Sequence, residues 1–594
     1  MDPIDKPVSS ENAVMAWASD AAAELLRRMG IKYVALNPGS SYRAVHDSLV
    51  NYLGNREPEL LLCLHEDSVI SIAHGYAKAA GEPMACVVHA NVGLMHALMG
   101  LYNAWCDRVP ILLIGSTGPV DPANRVPWID WIHTAKDQGA LLRNFVKYDD
   151  EPRSPAGLVE GMLRAARTMR TKPNGPVYLC LDKGLQETKL PEGFELPAIE
   201  RFAPADPPCA SPAALEKAAG WLVEAKSPVI LIGRVSRQQG DWDARVKLAE
   251  LLGAGAVTDM KLGAVFPTDH PLHVEPPGVF LGDRQRAAIR DADVILDLDW
   301  MDLGGALKQS FGSKDKAAGK VIHCSLDSYL HNGWSNDHYA LPPADLPVLA
   351  DPDAFVAALL PLLERRLKGK SRAKSKPVER KSLRLADRDP DAPVTALDIS
   401  LALNEARGDR KLTIAKLSLG WDAEGYPFRE PMDYLGYEGG AGLGSTPGIA
   451  VGAGLALKGS GRIAVANIGD GDFLQGCTAL WTAAHYEIPV LFIISNNRSN
   501  FNDEIHQQNI ATIRGRQTGN RWIGMRMEKP AIDLCAIARA QGAEAGEPVE
   551  KAGDLLPALR KGLDAVARGK VYLVDVHIAP GAGTNVVSRA GKAG

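Results

Sequence analysis

The fold class of this chain is decided by the stretch Ile463-Ala464-Val465-Ala466-Asn467-Ile468-Gly469-Asp470-Gly471-Asp472. Its first six residues form a mostly apolar run, which is typical of a buried strand, and the strand leads directly into two glycines around an acid. Open α/β sheets bind ligands beyond the carboxyl ends of their parallel strands. Glycine at such a turn lets the backbone approach a diphosphate closely, and an adjacent carboxylate is able to hold a hard cation. The stretch therefore predicts a diphosphate and metal site at a strand end.

A second polar strand end follows one helix later. A helix is expected over Thr478–Tyr486, and the buried run Pro489–Ile494 then ends at Ser495-Asn496-Asn497. A strand–helix–strand unit brings both strand ends to one edge of the sheet, so Asp470 and Asn497 are able to reach one ion. Mg²⁺ prefers about six oxygen ligands, which a carboxylate, an amide oxygen, a backbone carbonyl, two phosphate oxygens and a water supply. Each motif alone is common in turns, but the two together indicate a metal and diphosphate site.

The size and composition are those of a globular protein with several domains. With 594 residues, and roughly 150 residues per domain as a guide, three or four domains are expected. The formal net charge is -5, so we do not expect a nucleic-acid partner. The eight cysteines are scattered singly, which argues against a zinc site or a disulfide framework and favours a cytoplasmic protein. Because Met1–Asp20 lacks an apolar signal core and no apolar run reaches roughly 20 residues, no membrane association is expected.

Three blocks alternate short apolar runs with helical patterns, which predicts an α/β protein of three domains with parallel sheets flanked by helices. We place the domains at 1–190, 191–367 and 385–594, with a Lys-, Arg- and Ser-rich linker at 368–384. The middle block lacks a GxGxxG turn, so it offers no motif for dinucleotide binding. The tail 581–594 is expected to be mobile or to order over a site. The predicted strands are Tyr33–Leu36, Leu61–Leu64, Ala85–Val88, Ile111–Ile114, Val177–Leu181, Pro228–Ile232, Val294–Leu298, Val321–Cys324, Thr413–Ala415, Ile463–Asn467, Val490–Ile494 and Val571–Val574.

These motifs resemble those of thiamine-diphosphate enzymes, and the resemblance covers nearly the whole chain. It implies a pyrimidine-binding domain, a middle domain and a diphosphate-binding domain, in that order. Within the superfamily the chain is most similar to the benzoylformate decarboxylases and more distantly to the acetolactate synthases. The resemblance implies thiamine diphosphate and Mg²⁺ as cofactors. The residues expected to ligate the metal are Asp470, Asn497 and Ser499, and those expected to contact the cofactor also include Gly469, Gly471 and Asp472.

The family needs a glutamate in its first domain, and Glu66 occupies the matching position. Leu64-His65-Glu66-Asp67 closes an apolar strand and opens a helix, expected over Ser68–Ala80, that carries Ile72-Ala73-His74-Gly75-Tyr76-Ala77. The resemblance implies that Glu66 hydrogen-bonds the aminopyrimidine ring of the cofactor. That contact promotes loss of the proton from the thiazolium C2 carbon.

Two further segments of the third block resemble cofactor contacts of the family. Glu438-Gly439-Gly440-Ala441-Gly442-Leu443-Gly444 is similar to the segment that bends the cofactor. There the Leu443 side chain would be the wedge between the two rings, and the Ala441 carbonyl would accept from the amino group. Ser418 matches a diphosphate-contacting position. Three neighbours of Ser418 depart from the small polar residues of the family, namely Lys416, Leu417 and Leu419.

The substrate side resembles that of the benzoylformate decarboxylases. Asn37-Pro38-Gly39-Ser40 matches a segment whose serine contacts the substrate carboxylate, and Val88-His89-Ala90-Asn91 matches one whose histidine transfers protons. Phe266-Pro267-Thr268-Asp269-His270-Pro271 resembles the segment with a second active-site histidine. The resemblance thus implies decarboxylation of a 2-oxo acid through a C2 ylid and an enamine. The residues that it makes catalytic are Ser40, Glu66, His89 and His270.

The chain leaves the family pattern just after Asn497. Arg498–Gln508 is more polar than the substrate-covering segment of relatives, so the substrate is expected to be larger or more polar than an aryl 2-oxo acid. His96 replaces a smaller residue, and His65 is a candidate lining residue beside Glu66. Three residues fit pocket walls and core packing equally well: Met95, Phe501 and Ile505. Two more lie where relatives reach the neighbouring subunit's site: His133 and Gln138.

Three functions are compatible with these residues. The first is a 2-oxo acid decarboxylase with carboligase side activity, working as a homodimer or homotetramer with each cofactor between two subunits. The second is a carbon–carbon lyase or ligase, such as a 2-hydroxyacyl-CoA lyase or an acetolactate synthase, which the altered segment after Asn497 favours. The third is a non-catalytic homologue that binds a nucleotide through its middle domain, against which intact Glu66, Asp470 and Asn497 argue. Some relatives hold FAD or ADP in that domain, and the sequence leaves this open.

Overall fold

The computed structural model describes residues 4–8, 13–329, 340–369 and 382–579 and contains three parallel sheets, each covered by helices. Every strand pairing within the three sheets is parallel, which confirms the predicted α/β class. Among the described residues, no helix combines the length and the apolar character that crossing a membrane requires. The positions 370–381 of the predicted linker and the tail 581–594 lie outside the described residues.

The first sheet has the order β2-β1-β3-β4-β6-β5, and five of its six strands agree with the predicted ones to within a few residues, whereas β5 was not predicted. The strands are β1 Tyr33–Leu36, β2 Glu59–Leu62, β3 Met84–Val87, β4 Ile111–Thr117, β5 Asp149–Asp150 and β6 Val177–Asp182. The helices are α1 Ala18–Arg28, α2 Arg43–Asp47, α3 Glu66–Ala80, α4 Ala90–Cys106, α5 Ile129–Ile132, α6 Pro155–Arg170 and α7 Lys183–Gln186. Helix α3 therefore starts at Glu66 itself, two residues before its predicted start.

The middle sheet has the order β11-β10-β9-β7-β8. Its strands are β7 Pro228–Ile232, β8 Gly255–Val257, β9 Val294–Leu298, β10 Lys320–Ser325 and β11 Leu346–Leu349. Its helices are α8 Pro212–Glu224, α9 Gln239–Leu252, α10 Asp283–Arg290, α11 Leu303–Phe311 and α12 Pro352–Leu367. The carboxyl ends of β9 and β10 meet the first domain through Arg108, which donates to Asp299 at 2.8 Å and also pairs with Asp327. The predicted boundaries at 190, 367 and 384 fall between sheets and stay predictions.

The third sheet has the order β12-β13-β14-β16-β15. Its strands are β12 Lys411–Lys416, β13 Arg462–Gly469, β14 Val490–Asn496, β15 Glu544–Ala545 and β16 Val571–His577. Its helices are α13 Ala396–Arg407, α14 Ser445–Leu457, α15 Asp470–Gly476, α16 Ala479–His485, α17 Phe501–Ile513, α18 Leu534–Ala540 and α19 Ala552–Ala567. The segment Gly469–Asp472, expected as a turn before the helix Thr478–Tyr486, instead leads into a short helix of its own. Asp470 begins α15 directly, and α16 follows after a break at residues 477–478.

The first and third domains meet where α3 crosses α14, and glycines allow the two backbones to touch. A Cβ atom at Gly75 of α3 would collide with the Ile449 carbonyl, and one at Gly452 of α14 would collide with the Ile72 carbonyl. Both ends of this contact carry predicted site residues, because α3 begins at Glu66 and α14 follows the glycine-rich segment with Leu443. The crossing therefore fixes these two segments relative to each other.

We expect Gly452→Ala to lower the thermal midpoint of unfolding by about 2–6 °C, because an added methyl group at a packed contact costs about 1–3 kcal/mol. Gly240→Ala is the matched control, since a Cβ atom there would have no heavy atom within 4 Å and Gly240 lies in α9. The control should be neutral or slightly stabilising, because alanine favours the helix over glycine. Thermal melts at one scan rate measure both variants, and equal midpoints would contradict the close packing of α3 and α14.

Candidate active site

The two polar strand ends lie side by side, as the sequence predicted. Strands β13 and β14 are neighbours, and Gly469 pairs with Ser495 in their register. The Asp470 Oδ1 atom accepts from the backbone N–H of Gly471 at 2.8 Å. Burial raises the pKa of Asp470 to about 6, although backbone N–H groups of residues 471, 498 and 499 hold it down. Its Oδ2 atom is buried and has no hydrogen-bond partner among the described residues, and such an orphaned oxygen is what a bound cation satisfies.

Asn497 and Ser499 form the other side of this turn. The Ser499 backbone N–H donates to Asn497 Oδ1 at 2.9 Å, and the Ser499 hydroxyl donates to Glu504 Oε1 at 2.6 Å. Because its hydroxyl is held by Glu504, Ser499 would bind a cation through its backbone carbonyl rather than through its side chain. A carboxylate, an amide oxygen and a carbonyl are the hard oxygen donors that Mg²⁺ takes in proteins. The donor set therefore fits a divalent cation.

A cavity of about 410 Å³ opens beside this turn, a volume suited to a cofactor-sized ligand. All its described lining residues belong to the third domain, between 396 and 578. Glu66 is not among them, so one chain alone does not bring Glu66 to this cavity. The predicted cofactor contacts of the third domain all line it: Ser418, Ala441, Leu443, Gly469, Asp470, Gly471, Asp472, Asn497 and Ser499.

The glycine-rich segment that carries Leu443 is held from two sides. Asn103 of α4 accepts from the Gly442 N–H at 3.2 Å and donates to the Gly442 carbonyl at 3.3 Å. Asp472 Oδ1 accepts from the Gly444 N–H at 2.8 Å, so its carboxylate shapes this segment as well as lining the cavity. Ala441 has a φ of 56°, a conformation that few residues other than glycine adopt. The Leu443 side chain is left half-exposed at the cavity.

A buried ion pair also borders the cavity, which sequence reasoning missed. Lys416 at the end of β12 pairs with Glu438, and its Nζ atom lies 3.7 Å from the centre of the Tyr437 ring. Burial lowers the pKa of Lys416 to about 7, while the charge of Asp472 opposes that shift. The signal in the sequence was a lysine at the end of an otherwise apolar strand. Nearby, the Ser418 hydroxyl donates to Asn467 Oδ1 at 2.8 Å.

Glu66 lies in a small cluster on the first domain. It is buried at the start of α3, and its Oε2 atom accepts from His96 Nδ1 of α4 at 3.0 Å. The His65 ring stacks on the His96 ring, with centroids 5.1 Å apart and planes at 16°. Ligand atoms of these three residues lie within 4.8 Å of one another. Both histidines were noted in the sequence, but the contact between His96 and Glu66 was not predicted.

His89 lies close by at the start of α4, where it is held by Ser41, the neighbour of the predicted substrate-contacting Ser40. Its Nδ1 atom shares a hydrogen bond of 2.8 Å with the Ser41 hydroxyl, which also accepts from the Ala90 N–H at 3.1 Å. Ser40 is exposed one residue earlier. Burial lowers the pKa of His89, and the nearby His133, whose ring centroid is 4.4 Å away, lowers it further. Two adjacent serines look alike in sequence, and only the turn geometry distinguishes them.

Two predicted residues lie elsewhere. Gln138 is fully buried and donates to the Ser116 carbonyl at 3.0 Å and the Tyr178 hydroxyl at 2.8 Å, so the prediction that it reaches a neighbouring subunit is wrong. The turn at residues 138–141 directs the Gln138 side chain into the domain, against strands β4 and β6. The described contacts of His270 stay within the middle domain, with Glu250 at 3.3 Å and with the Phe266 ring. The structure therefore does not bring His270 to Glu66 or to the cavity.

The segment after Asn497, which departs from the family pattern, is anchored by a buried acid. Glu504 of α17 is fully buried and binds Ser499, Arg526 at 2.9 Å and Arg521 at 3.3 Å. Phe501, at the start of the same helix, is buried and lines the cavity. The salt bridges couple the turn that carries Asn497 and Ser499 to the segment around residue 526. The start of α17, beside the cavity, is therefore fixed by ion pairs to residues of a later segment, which no local sequence pattern indicates.

Three models of thiamine pyrophosphate enzyme domains match the chain in order. The N-terminal TPP binding domain matches residues 16–141, the central domain matches 215–359, and the C-terminal TPP binding domain matches 417–576. Together they cover more than half of the chain. The first contains the Glu66 cluster, and the last contains most of the residues that line the cavity.

Curated relatives and solved structures span nearly the same length. Benzoylformate decarboxylase of Pseudomonas aeruginosa is 27% identical over 548 residues, which are 89% of this chain and 94% of that protein. The chloroplastic acetolactate synthase 1 of Nicotiana tabacum is 24% identical over 584 residues, which are 94% of this chain and 81% of that protein. The crystal structure of benzoylformate decarboxylase from Polynucleobacter necessarius shares the fold, with a TM-score of 0.78 at 20% identity over 95% of this chain and 99% of that one. With all three domains matched in order, the chain belongs to the thiamine pyrophosphate enzyme family.

Proposed function

We propose that this chain is a thiamine-diphosphate- and magnesium-dependent decarboxylase of a 2-oxo acid. The observation that carries the proposal is His89, which is hydrogen-bonded to Ser41, has a lowered pKa and lies close enough to Glu66 for the glutamate charge to act on it. A decarboxylase needs such a group, because a proton must replace the carboxylate that leaves as carbon dioxide. The similarity to benzoylformate decarboxylase over 89% of the chain supports the same reaction class.

The third domain would hold the cofactor. Asp470, Asn497 and the Ser499 carbonyl would bind Mg²⁺, while Gly469 and Gly471 leave room for the diphosphate. Leu443 would lie between the two rings, with the Ala441 carbonyl beside the amino group. When bound, thiamine diphosphate supplies a nucleophilic carbon and an electron sink for the substrate carbonyl.

The first domain would supply the proton chemistry. Glu66 would exchange a proton with the aminopyrimidine ring, and His89 would deliver the proton that ends each turnover. The balance is one 2-oxo acid anion and one proton in, one aldehyde and one carbon dioxide out. Ser40 or Ser41 would hold the substrate carboxylate, and Phe501 with α17 would help to exclude water. Carboligase activity would follow if an aldehyde accepts the bound acyl carbanion equivalent in place of the proton.

Two copies of the chain would complete each site, giving a homodimer or homotetramer in the cytoplasm. The support is that the described lining of the cavity comes from the third domain alone, whereas Glu66 lies on the first. Trp128 and Trp131, in the segment leading to His133, are largely exposed in one chain, with 69% and 78% of their surface accessible. Exposed tryptophans of this kind are enriched at subunit interfaces.

A substrate panel tests the proposed reaction. We expect carbon dioxide release from at least one aryl or aliphatic 2-oxo acid that depends on both thiamine diphosphate and Mg²⁺, followed by a coupled aldehyde assay. Cleavage of 2-hydroxyacyl-CoA thioesters and condensation of pyruvate run in parallel, since the polar segment around Glu504 favours that second class. Faster cofactor-dependent turnover in either parallel assay than in the whole panel would overturn the decarboxylase assignment. An absorbance spectrum of the purified protein decides whether the middle domain carries FAD.

A further inference from the structure

We propose that His96 is a positioning residue that holds the carboxylate of Glu66 in the orientation the cofactor requires. The proposal rests on the role given to Glu66 above. Its basis is a direct contact between two helices, since His96 Nδ1 of α4 lies 3.0 Å from Oε2 of Glu66 at the start of α3. An ionised carboxylate only accepts, so the histidine donates in this bond.

The two oxygens of Glu66 have different surroundings. Oε2 is engaged by His96, whereas Oε1 lies over Gly93, one turn earlier in α4. A Cβ atom at Gly93 would lie only 3.1 Å from Oε1, so the glycine leaves this oxygen uncrowded. One oxygen is therefore fixed by a donor, and the other is left accessible for a ring nitrogen. A carboxylate that shares a proton with a ligand works best in one fixed orientation.

The orientation of His96 is itself restrained. Its side chain is 60% exposed in the single chain, but its ring stacks on His65 with the planes 16° apart. His65 is fixed in turn, because its Nδ1 atom accepts from the Asp67 backbone N–H at 3.1 Å and caps α3. The backbone at the start of α3 therefore fixes His65, the His65 ring restrains His96, and His96 restrains Glu66.

Several ionisable groups lie around Glu66. His65 and Asp67 flank it on its own helix, and His96 contacts it from α4. The charge of Glu66 also acts to raise the pKa of His89, at the start of α4, and that of Tyr42, in the turn after β1. Only His96 makes a hydrogen bond to the Glu66 side chain among the described residues. A substitution of His96 is therefore the direct way to remove the restraint.

The test is a double-mutant cycle on cofactor affinity, read from the quenching of tryptophan fluorescence as thiamine diphosphate is titrated with Mg²⁺ present. We expect His96→Ala to weaken cofactor binding about tenfold, because it removes one hydrogen bond to a charged group. We expect the affinity of His96→Asn to stay within about threefold of the native value, because asparagine donates to the same oxygen. In a Glu66→Ala background, His96→Ala should change nothing further.

His46→Ala is the control, since His46 is another exposed histidine of the first domain, in α2. It should bind the cofactor like the native chain. The proposal is overturned if His96→Ala binds normally, or if its effect persists without the Glu66 carboxylate. Tight zinc binding that His96→Ala abolishes would assign the cluster to a metal and would also overturn it. Because the cycle measures binding alone, it can succeed even if no 2-oxo acid is decarboxylated, in which case the proposed function fails and this inference stands.

Discussion

Asp470→Asn is expected to weaken magnesium-dependent binding of thiamine diphosphate about a hundredfold and to abolish turnover at ordinary cofactor concentrations. The amide keeps the shape of the side chain and an oxygen for the Gly471 N–H, so the turn should survive. What it removes is the negative charge beside the cation, and loss of one partner of a buried charge pair costs about 3 kcal/mol or more. The proposed ligand set contains no other carboxylate.

The apo form of Asp470→Asn should be no less stable than the native chain. Asp470 Oδ2 is buried and has no hydrogen-bond partner among the described residues, and a buried charged oxygen that lacks a partner destabilises the folded state. The native chain should gain thermal stability when magnesium and cofactor are added together, and the variant should lose that gain. Asp409→Asn, an exposed acid before β12, is the matched control and should keep the full gain. A native-sized shift in the Asp470→Asn variant would place the metal elsewhere.

The third domain was predictable because its signals are local and the sheet geometry is general. An apolar run followed by glycines and an acid predicts a strand end with a turn, and parallel strands joined by one connection meet at one edge. The observed register of Gly469 beside Ser495 is the consequence. The resemblance to thiamine-diphosphate enzymes, rather than strand geometry, implied that Leu443 and Ser418 contact the cofactor, and both line the cavity.

The contacts between helices were not predictable in this way. His96 meets Glu66 only because α4 packs on α3, and the buried position of Glu504 depends on Arg521 and Arg526 from a later segment. Gln138 looked like an interface residue, yet the turn after β4 points it into the domain. Each of these outcomes is set by tertiary packing, which a one-dimensional pattern does not contain.

Glu66→Gln should lower turnover at saturating cofactor by about 10² to 10⁴, the usual contribution of a positioned acid or base. Glutamine keeps the size of the side chain and a hydrogen bond, so cofactor affinity should change far less than turnover. Carbon dioxide release measures the first quantity and cofactor titration the second. Glu82→Gln, an exposed glutamate just after α3, is the matched control and should behave like the native chain. Undiminished turnover in Glu66→Gln would remove Glu66 from the mechanism.

Combining Glu66→Gln subunits with Asp470→Asn subunits tests whether the Glu66 and the Asp470 of one active site belong to different subunits. If each site joins Glu66 of one subunit to Asp470 of another, a mixed dimer contains one site with both changes and one with neither. Two inactive proteins should then regain about half the native activity when coexpressed with different tags and purified as the mixed form. If both halves belong to one chain, every site in the mixture carries one lesion and activity stays lost. The cavity, whose described lining lacks any first-domain residue, leads us to expect recovery.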